Sequence, residues 1–370
     1  MRTSLPPIGR VEAKAWTIPT DAPEADGTIA WDSTTIVTAQ VYAGDAIGIG
    51  YTYGHRAIAA LIKGPLCGCL MDRDPDDIPG AWEHMNRALR NIGRPGVGLM
   101  AIAALDHALW DLKARLHDVS VVDLMGAARA SVPVYGSGGF TTYDVERLQK
   151  QLGGWAAKGI HRVKMKVGTH PAKDPARVHA AKTAIGAGAA LMVDANGAYT
   201  PRQALAQAER FADDDVRWYE EPVSSDDLEN LAWLRARLPA PMALAAGEYG
   251  WDDWYFRRML DAGAVDVLQV DTTRCGGFTG FMRAASLAHA HGVPVSAHCA
   301  PALHAHVCSA LDNVINIEYF HDHTRIESML FDGLPALRCG ALRVDRDRPG
   351  LGLELKAADV TDYEVHVDAG

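Results

Sequence analysis

The sequence lacks the features expected of a membrane-embedded or disulfide-stabilised protein. No apolar run in its 370 residues approaches the roughly 18 residues of a membrane span, and the N-terminus MRTSLPPIGR has no apolar core of a signal peptide. The six cysteines are scattered and include no CxxC pair. We therefore expect free, mostly buried thiols in a cytoplasmic protein.

The sequence also has fewer basic than acidic residues. Lys and Arg number 36 against 46 Asp and Glu, which gives a formal net charge of −10. This balance argues against nucleic acid or an anionic membrane as a partner, but it does not exclude an anionic substrate in a locally positive pocket. The hydrophobic fraction of 48% is typical of a globular protein. The length suggests two domains or one large barrel with an addition.

The first 125 residues have the pattern of an α+β unit. Three stretches between residues 11 and 53 predict an antiparallel sheet. The polar, acidic segment 20–32 between the first two stretches contains Pro23 and Gly27, and it predicts an exposed, mobile loop. Helical periodicity follows and is strongest over the Ala-rich residues 99–116.

After Ser131 the pattern changes to eight short apolar strands, most of them followed by a helical stretch. Polar residues end these strands at intervals of 20 to 28 residues, the length of one βα unit: Lys166, Asp194, Glu220, Glu248, Asp271, His298 and Glu318. Such residues meet at the active face of a barrel. The predicted fold is α/β, a (β/α)8-type barrel (130–328) with an α+β capping domain formed by residues 1–125 and the returning C-terminal segment 329–370.

Lys164 and Lys166 lie two residues apart on one strand, HRVKMKVG, and therefore on the same side of it. Neighbouring ammonium groups repel each other, which predicts a lowered pKa for at least one of them and a neutral lysine base. Taken alone, the pair is more typical of a solvated edge strand. Its place in the barrel pattern favours an active site instead.

Three successive strands end in the carboxylates Asp194, Glu220 and Glu248. Converging anions destabilise one another unless a cation lies between them, and donors that are all oxygen favour a hard ion, Mg2+. Only one of Glu220 and its neighbour Glu221 can point into the barrel mouth, and the pattern does not say which.

The following strands supply Asp271 and His298, a pairing typical of a general acid and base because the carboxylate holds the imidazole tautomer and raises its pKa. Glu318, as a neutral acid, would donate a hydrogen bond to a substrate carboxylate. Lys166 and His298 would then flank a carboxylate held by Mg2+, and either base could remove its α-proton. The resulting enediolate would be stabilised by Mg2+, Lys164 and Glu318.

Seven motifs in chain order resemble the mandelate racemase subgroup of the enolase superfamily: KxK (164–166), DAN (194–196), EEP (220–222), GE (247–248), DxxRxGG (271–277), AH (297–298) and Glu318. The resemblance covers essentially the whole chain and implies the following roles: Asp194, Glu220 and Glu248 as Mg2+ ligands, Lys166 and the His298–Asp271 dyad as bases, Lys164 as a cation beside the substrate carboxylate, and Glu318 as an electrophile. It favours Glu220 over Glu221 and implies a homo-oligomer.

Two reactions of that subgroup fit the same residues. A racemase or epimerase needs both bases, whereas an acid-sugar dehydratase uses one base and an acid that expels the β-hydroxyl. We favour dehydration, the commoner task in the subgroup, and a monocarboxylic substrate, because the acids of segment 20–32 would repel a second carboxylate. The candidate substrate contacts are Trp31, Tyr53, Asn196, Arg274 and His321.

Two other classes of protein fit the sequence less well. A metal-dependent hydrolase would usually carry histidine ligands such as HxH on the first barrel strand, and VPVYGSGG has none. A binding protein on the same scaffold that has no activity would be expected to have lost a base or a metal ligand, and all of them are present.

Overall fold

The computed structural model describes residues 5–367. Its N-terminal part consists of an antiparallel sheet and a group of helices. The strands are β1 (Ile8–Ala25), β2 (Ala30–Ala43) and β3 (Ala46–Tyr53). The helices are α1 (Ala57–Leu61), continued by a π-helical turn (Ile62–Leu66) and a 3-10 turn (Cys67–Cys69), then α2 (Ile78–Ala88), α3 (Val97–Leu116) and α4 (Val121–Met125). The predicted antiparallel capping sheet is thus confirmed.

The sheet and α3 are in very close contact. A side chain at Gly50 of β3 would place its Cβ 2.2 Å from the carbonyl oxygen of Ala104 on α3. Only glycine permits this approach, which buries nearly the whole apolar length of α3. The helix therefore lies in the centre of the capping domain.

The segment predicted as a mobile loop is a β-hairpin instead. Residues 20–25 continue β1 and residues 30–32 continue β2, so that only residues 26–29 form the turn. Asp26 Oδ1 closes this turn by accepting hydrogen bonds from the backbone N–H groups of Thr28 (2.6 Å) and Ile29 (2.8 Å). The prediction was wrong because acids that suggested solvation, Glu24 among them, are buried.

Eight parallel strands form a closed barrel, in which the last strand pairs with the first. They are β4 (Val132–Gly138), β5 (Arg162–Lys166), β6 (Ala190–Asp194), β7 (Val216–Glu220), β8 (Ala243–Ala246), β9 (Val267–Val270), β10 (Val295–Ala297) and β11 (Val314–Phe320). The helices after them are α5 (Val145–Ala157), α6 (Asp174–Ile185), α7 (Pro201–Ala212), α8 (Leu228–Arg235), α9 (Asp253–Asp261), α10 (Gly277–Ala290), α11 (Pro301–Ser309) and α12 (His321–Leu330). The predicted barrel is confirmed.

The C-terminal segment contacts both parts of the protein. It contains β12 (Phe331–Asp332), β13 (Ala336–Arg338), β14 (Ala341–Arg343), β15 (Glu354–Leu355), a 3-10 turn (Ala357–Tyr363) and β16 (Glu364–Val365). The hairpin of β13 and β14 pairs with the beginning of β4, whereas β16 pairs with β1 in the capping sheet. No helix within residues 5–367 has the length and apolar character needed to cross a membrane.

Asp106 on α3 connects the capping domain to the barrel. It accepts hydrogen bonds from the backbone N–H (3.0 Å) and hydroxyl (2.6 Å) of Thr279 on α10. Burial outweighs these bonds and raises the pKa of Asp106 to about 7. The folded protein therefore holds this proton at pH values where the unfolded chain, with a pKa near 3.9, has released it.

This difference predicts a pH-dependent stability contribution. Because the folded pKa is the higher one, the contribution is complete below about pH 4 and is lost as the pH rises through about 7. Asp106→Asn should remove the dependence. We expect the difference between the free energies of unfolding of wild type and Asp106→Asn, measured in urea, to change by about 2 to 3 kcal/mol between about pH 5 and pH 8. The exposed Asp45→Asn is the control, and parallel pH profiles for wild type and Asp106→Asn would contradict the prediction.

Candidate active site

Three carboxylates from neighbouring strands meet at the mouth of the barrel. Asp194 and Glu220 are the last residues of β6 and β7 and lie in register, and Glu248 follows β8 by two residues. An oxygen atom of each lies within 4.8 Å of those of the other two, and all three side chains are buried. We call this cluster the carboxylate trio. Glu220, and not Glu221, contributes to it.

The trio fits a divalent cation. Burial raises the pKa of Glu220 well above its usual value, and repulsion by Asp194 adds to the effect. Oε2 of Glu248 is buried and accepts no hydrogen bond, although His298 Nε2 lies 3.3 Å away. Such an oxygen is costly to bury unless something positive binds it, and an all-oxygen donor set suits Mg2+.

Both lysines of the KxK motif point into this cluster. Lys164 Nζ donates to Glu220 Oε1 at 2.5 Å, and Lys166 Nζ donates to Asp194 Oδ2 at 2.5 Å and to Asn196 Oδ1 at 3.0 Å. Burial disfavours the charge on each lysine, but the carboxylates outweigh burial and raise both pKa values. The predicted lowering of a lysine pKa is therefore wrong for this arrangement, because each ammonium group has a carboxylate in direct contact.

The His298–Asp271 dyad is formed as predicted. His298 Nδ1 lies 2.7 Å from Asp271 Oδ2, and Oδ1 of Asp271 accepts hydrogen bonds from the backbone N–H and hydroxyl of Thr273. Although burial opposes ionisation, the contact with His298 and the charge of Arg274 hold the pKa of Asp271 well below its usual range. The anionic Asp271 favours the tautomer with the proton on Nδ1, which leaves the Nε2 lone pair of His298 facing the cavity.

Glu318 lies inside β11 and is an anion here, which corrects the prediction of a neutral acid. Its Oε1 is 2.9 Å from Lys164 Nζ, and its Oε2 accepts the backbone N–H of Cys299 at 3.1 Å. Burial raises the pKa of Glu318, but Lys164 and His298 outweigh burial and hold it well below the usual value. The contact between Lys164 and Glu318 was not predicted, because Lys164 was expected to lie beside the substrate carboxylate.

Five of these residues line one cavity of about 380 Å³: Lys166, Glu248, Asp271, His298 and Glu318. Among the candidate substrate contacts, Trp31, Tyr53, Asn196 and Arg274 lie in its wall, and the hydroxyl of Tyr53 is buried without a partner. His321 is not in the wall; it lies 3.1 Å from Asp21 Oδ2.

The wall also contains His323 and Cys299, which were not among the candidate substrate contacts. The ring of His323 stacks on Tyr53 with 3.5 Å between centroids. Residues 320–323 read FHDH and contain both His321 and His323. Because α12 begins at His321, His323 is the histidine of this pair that faces the cavity. Cys299 directly follows His298, and its left-handed backbone (φ +54°) is not evident from the sequence.

The acids of the hairpin do not form the repulsive surface that we predicted. Asp26 binds the backbone of its own turn, and Asp21 contacts His321 and Arg147. Burial and the nearby Asp322 raise the pKa of Glu24 to about 8, so this carboxyl is largely uncharged at neutral pH. The segment has four acids, Asp21, Glu24, Asp26 and Asp32. Among them, only Asp26 lines the cavity.

The hairpin tip closes over the barrel beside the trio. The carbonyl oxygen of Asp26 accepts hydrogen bonds from the hydroxyls of Thr141 (2.9 Å) and Thr169 (2.7 Å), which follow β4 and β5. A Cβ at Gly27 would lie 2.4 Å from the carbonyl oxygen of Ala195, the residue after Asp194. Glycine at this position is what lets the tip reach the strand ends.

We therefore expect Gly27→Ala to weaken closure. The added methyl group must push the tip away from Ala195, which would displace the cavity wall by a fraction of an ångström and lower kcat/KM roughly 10- to 100-fold. Gly9→Ala is the matched control, because a Cβ there meets nothing within 4 Å. Urea unfolding should give the same midpoint for both variants. Unchanged kinetics in Gly27→Ala would show that closure is unimportant.

A closed barrel with a buried carboxylate trio and flanking proton-transfer groups, under an antiparallel capping domain, defines a metal-dependent enzyme of the enolase type. The chain belongs to the mandelate racemase/muconate lactonizing enzyme family. Residues 13–126 match the N-terminal domain of that family, and residues 147–360 match its enolase C-terminal domain-like part.

Known proteins resemble the chain over nearly its whole length. It is 31% identical to D-galactarolactone cycloisomerase of Agrobacterium fabrum, with 93% of this chain and 95% of the relative covered. A mandelate racemase/muconate lactonizing enzyme-like protein from Rubrobacter xylanophilus superimposes with a TM-score of 0.95 at 52% identity, covering 97% of this chain and 100% of the other. A racemase from Streptomyces coelicolor A3(2) with bound magnesium gives a TM-score of 0.90 at 30% identity, with 97% and 100% covered.

Further relatives are acid-sugar dehydratases, and several similar structures contain magnesium. The predicted family and the predicted cofactor, Mg2+, are confirmed. The relatives do not share one reaction, since they include dehydratases and cycloisomerases.

Proposed function

We propose that the chain dehydrates a monocarboxylic sugar acid to a 2-keto-3-deoxy acid, beginning with Mg2+-dependent removal of the α-proton. One observation carries this proposal: Lys166 and His298 line the same cavity, and both lie against the carboxylate trio. A cation site with a separate proton-transfer group on each of two strands is what α-proton abstraction followed by β-elimination needs.

Asp194, Glu220 and Glu248 would hold Mg2+, which supplies the positive charge that makes the α-proton of a bound carboxylate acidic. A cation held there would offset the charge of Asp194 and so weaken the attraction that raises the pKa of Lys166. Lys166 Nζ, which also contacts Asn196, is then the group placed to accept the α-proton.

The dyad completes the elimination. His298 in its protonated form delivers the Nε2 proton to the β-hydroxyl, which leaves as water, and Asp271 stabilises the imidazolium and keeps the ring oriented. The enol that remains takes up a proton at the former β-carbon and releases its hydroxyl proton, which gives the 2-keto-3-deoxy acid. Lys164, already between two carboxylates, balances the charge around the substrate carboxylate.

The monocarboxylate is supported by the rest of the cavity wall. Away from the trio and the dyad it contains two anions, Asp26 and Glu318, and Glu318 is paired with Lys164. Much of the remaining wall is apolar or carries hydroxyl groups, including Ile29, Trp31, Phe320, Ser33, Thr34 and Thr35. The two full cations of the wall, Lys166 and Arg274, already contact Asp194 and Glu248. A second substrate carboxylate would therefore lack a counter-ion.

Solvent deuterium exchange at the α-carbon, together with detection of 2-keto product, tests the proposal on a panel of aldonates and matched aldarates with Mg2+. We expect exchange and keto product from one or more aldonates. Product from aldarates alone would overturn the monocarboxylate assignment.

The second candidate, a racemase or epimerase, is favoured by the presence of two bases, Lys166 and His298, in one cavity. It predicts α-exchange with inversion and no keto product. Absence of exchange throughout the panel would instead favour a binding protein.

A further inference from the structure

A second group of metal-binding side chains lies in the same cavity and shares no residue with the carboxylate trio. Cys299 Sγ lies 3.3 Å from His298 Nε2 and 3.5 Å from Glu318 Oε2. His298 Nε2 and Glu318 Oε2 lie 3.6 Å apart. A thiol sulfur, an imidazole nitrogen and a carboxylate oxygen thus form a nearly equilateral triangle.

This triangle has the size of one face of a zinc tetrahedron. Zinc bonds of about 2.0–2.2 Å to nitrogen and oxygen and about 2.3 Å to sulfur, at tetrahedral angles, separate the ligand atoms by about 3.4–3.6 Å. The three separations fall within about 0.3 Å of those values. Little movement would be needed to bind a metal.

The donor atoms also keep lone pairs for a metal, although Glu318 Oε2 accepts the backbone N–H of Cys299 at 3.1 Å. The contact of Asp271 with Nδ1 of His298 leaves the Nε2 lone pair available, the carboxylate–histidine arrangement that supports zinc ligands. Lys164 occupies Oε1 of Glu318, so that Oε2 faces Cys299. Cys299, His298 and Glu318 are 4%, 6% and 1% exposed, and all three line the cavity.

We propose that His298, Cys299 and Glu318 form a site for a thiophilic divalent cation of the Zn2+ or Cd2+ class, with the fourth coordination position facing the cavity. Binding replaces the S–H bond by a metal–sulfur bond, and the proton goes to solvent. Mg2+ prefers oxygen ligands and does not compete for the thiolate. The nearby Glu248 Oε2, 3.3 Å from His298 Nε2, adds negative charge beside the bound cation.

Occupation of this site should inhibit turnover, a consequence that rests on the proposed function. The bound cation takes the Nε2 lone pair of His298, so that this nitrogen can no longer carry the proton needed to expel the β-hydroxyl. The site would make the enzyme sensitive to zinc at saturating Mg2+.

The binding test uses Cd2+ with the full chain at saturating Mg2+, followed by the ultraviolet charge-transfer absorption of the cadmium–thiolate bond. Because the half-buried Cys67 and the exposed Cys339 are also free thiols, the measured quantity is the difference between wild type and Cys299→Ala. We expect a difference equal to one thiolate per chain. Cys308→Ala is the matched control, since its buried sulfur belongs to the apolar core and should leave the absorption unchanged. Equal absorption in wild type and Cys299→Ala would overturn the site.

Zinc inhibition separates this site from the proposed function. In Cys299→Ala and in Cys299→Ser, which keeps a side chain of similar size, the half-inhibiting Zn2+ concentration should rise at least about tenfold relative to Cys308→Ala. If the cadmium–thiolate absorption depends on Cys299 but Zn2+ does not inhibit turnover, the site is supported and the proposed role of His298 in expelling the β-hydroxyl is contradicted. Turnover with no Cys299-dependent signal supports the function and rejects the site.

Discussion

Lys166→Met should abolish both α-deuterium exchange and keto-acid formation, whereas His298→Asn should abolish keto-acid formation and retain exchange. The two results differ because, in the proposed mechanism, Lys166 removes the α-proton and His298 acts only when the β-hydroxyl leaves. Each variant should lower the rate of product formation by about 10³-fold or more, within the usual range for loss of a general acid or base. Nuclear magnetic resonance of the substrate in D2O measures exchange and product in one sample.

The exposed Lys158→Met is the control for loss of a lysine charge and should keep full activity. If His298→Asn lost exchange while Lys166→Met kept it, the assignment of the two groups would be reversed. If either variant alone stopped exchange of only one substrate epimer, the racemase alternative would be supported instead.

Glu220→Gln should lower the affinity for Mg2+ at least about 100-fold and remove activity at ordinary Mg2+ concentrations. The substitution removes one charge of the carboxylate trio and leaves Lys164 without its closest partner, at 2.5 Å. Isothermal titration with Mg2+, or with Mn2+ as a stronger-binding substitute, measures the loss directly.

Glu221→Gln is the matched comparison, because it makes the same change, from carboxylate to amide, at the adjacent residue. Glu221 is buried but contributes no oxygen to the trio. Its substitution should therefore weaken Mg2+ binding far less than Glu220→Gln does. A larger loss of affinity in Glu221→Gln would mean that the other member of the pair is the ligand.

Spacing in the sequence was enough to predict the barrel and the polar residues at its mouth. Strands of a parallel barrel have one direction and nearly one length, so a polar residue at the end of each βα repeat must arrive at the same face. This is why Asp194, Glu220 and Glu248 could be grouped without coordinates. The dyad of Asp271 and His298 followed from the same rule.

Properties that depend on contacts between distant segments could not be predicted in this way. The pKa values of the two lysines and of Glu318 are set by partners whose distances the spacing does not give. The predictions of a lowered pKa for at least one lysine and of a neutral Glu318 were therefore both wrong. The acidic segment 20–32 looked like a solvated loop because its buried partners lie more than 100 residues away, such as Thr141 against the Asp26 carbonyl.

The amino-acid sequence by itself therefore determined the kind of barrel, the family resemblance and the carboxylates that suit Mg2+. These depend on the repeat length of the chain and on which residue types end the strands. Only the tertiary structure decided that the hairpin closes over the mouth, that His323 rather than His321 faces the cavity, and that Cys299 lies against His298. Each of those depends on backbone direction at a loop or helix start, which local residue order does not fix.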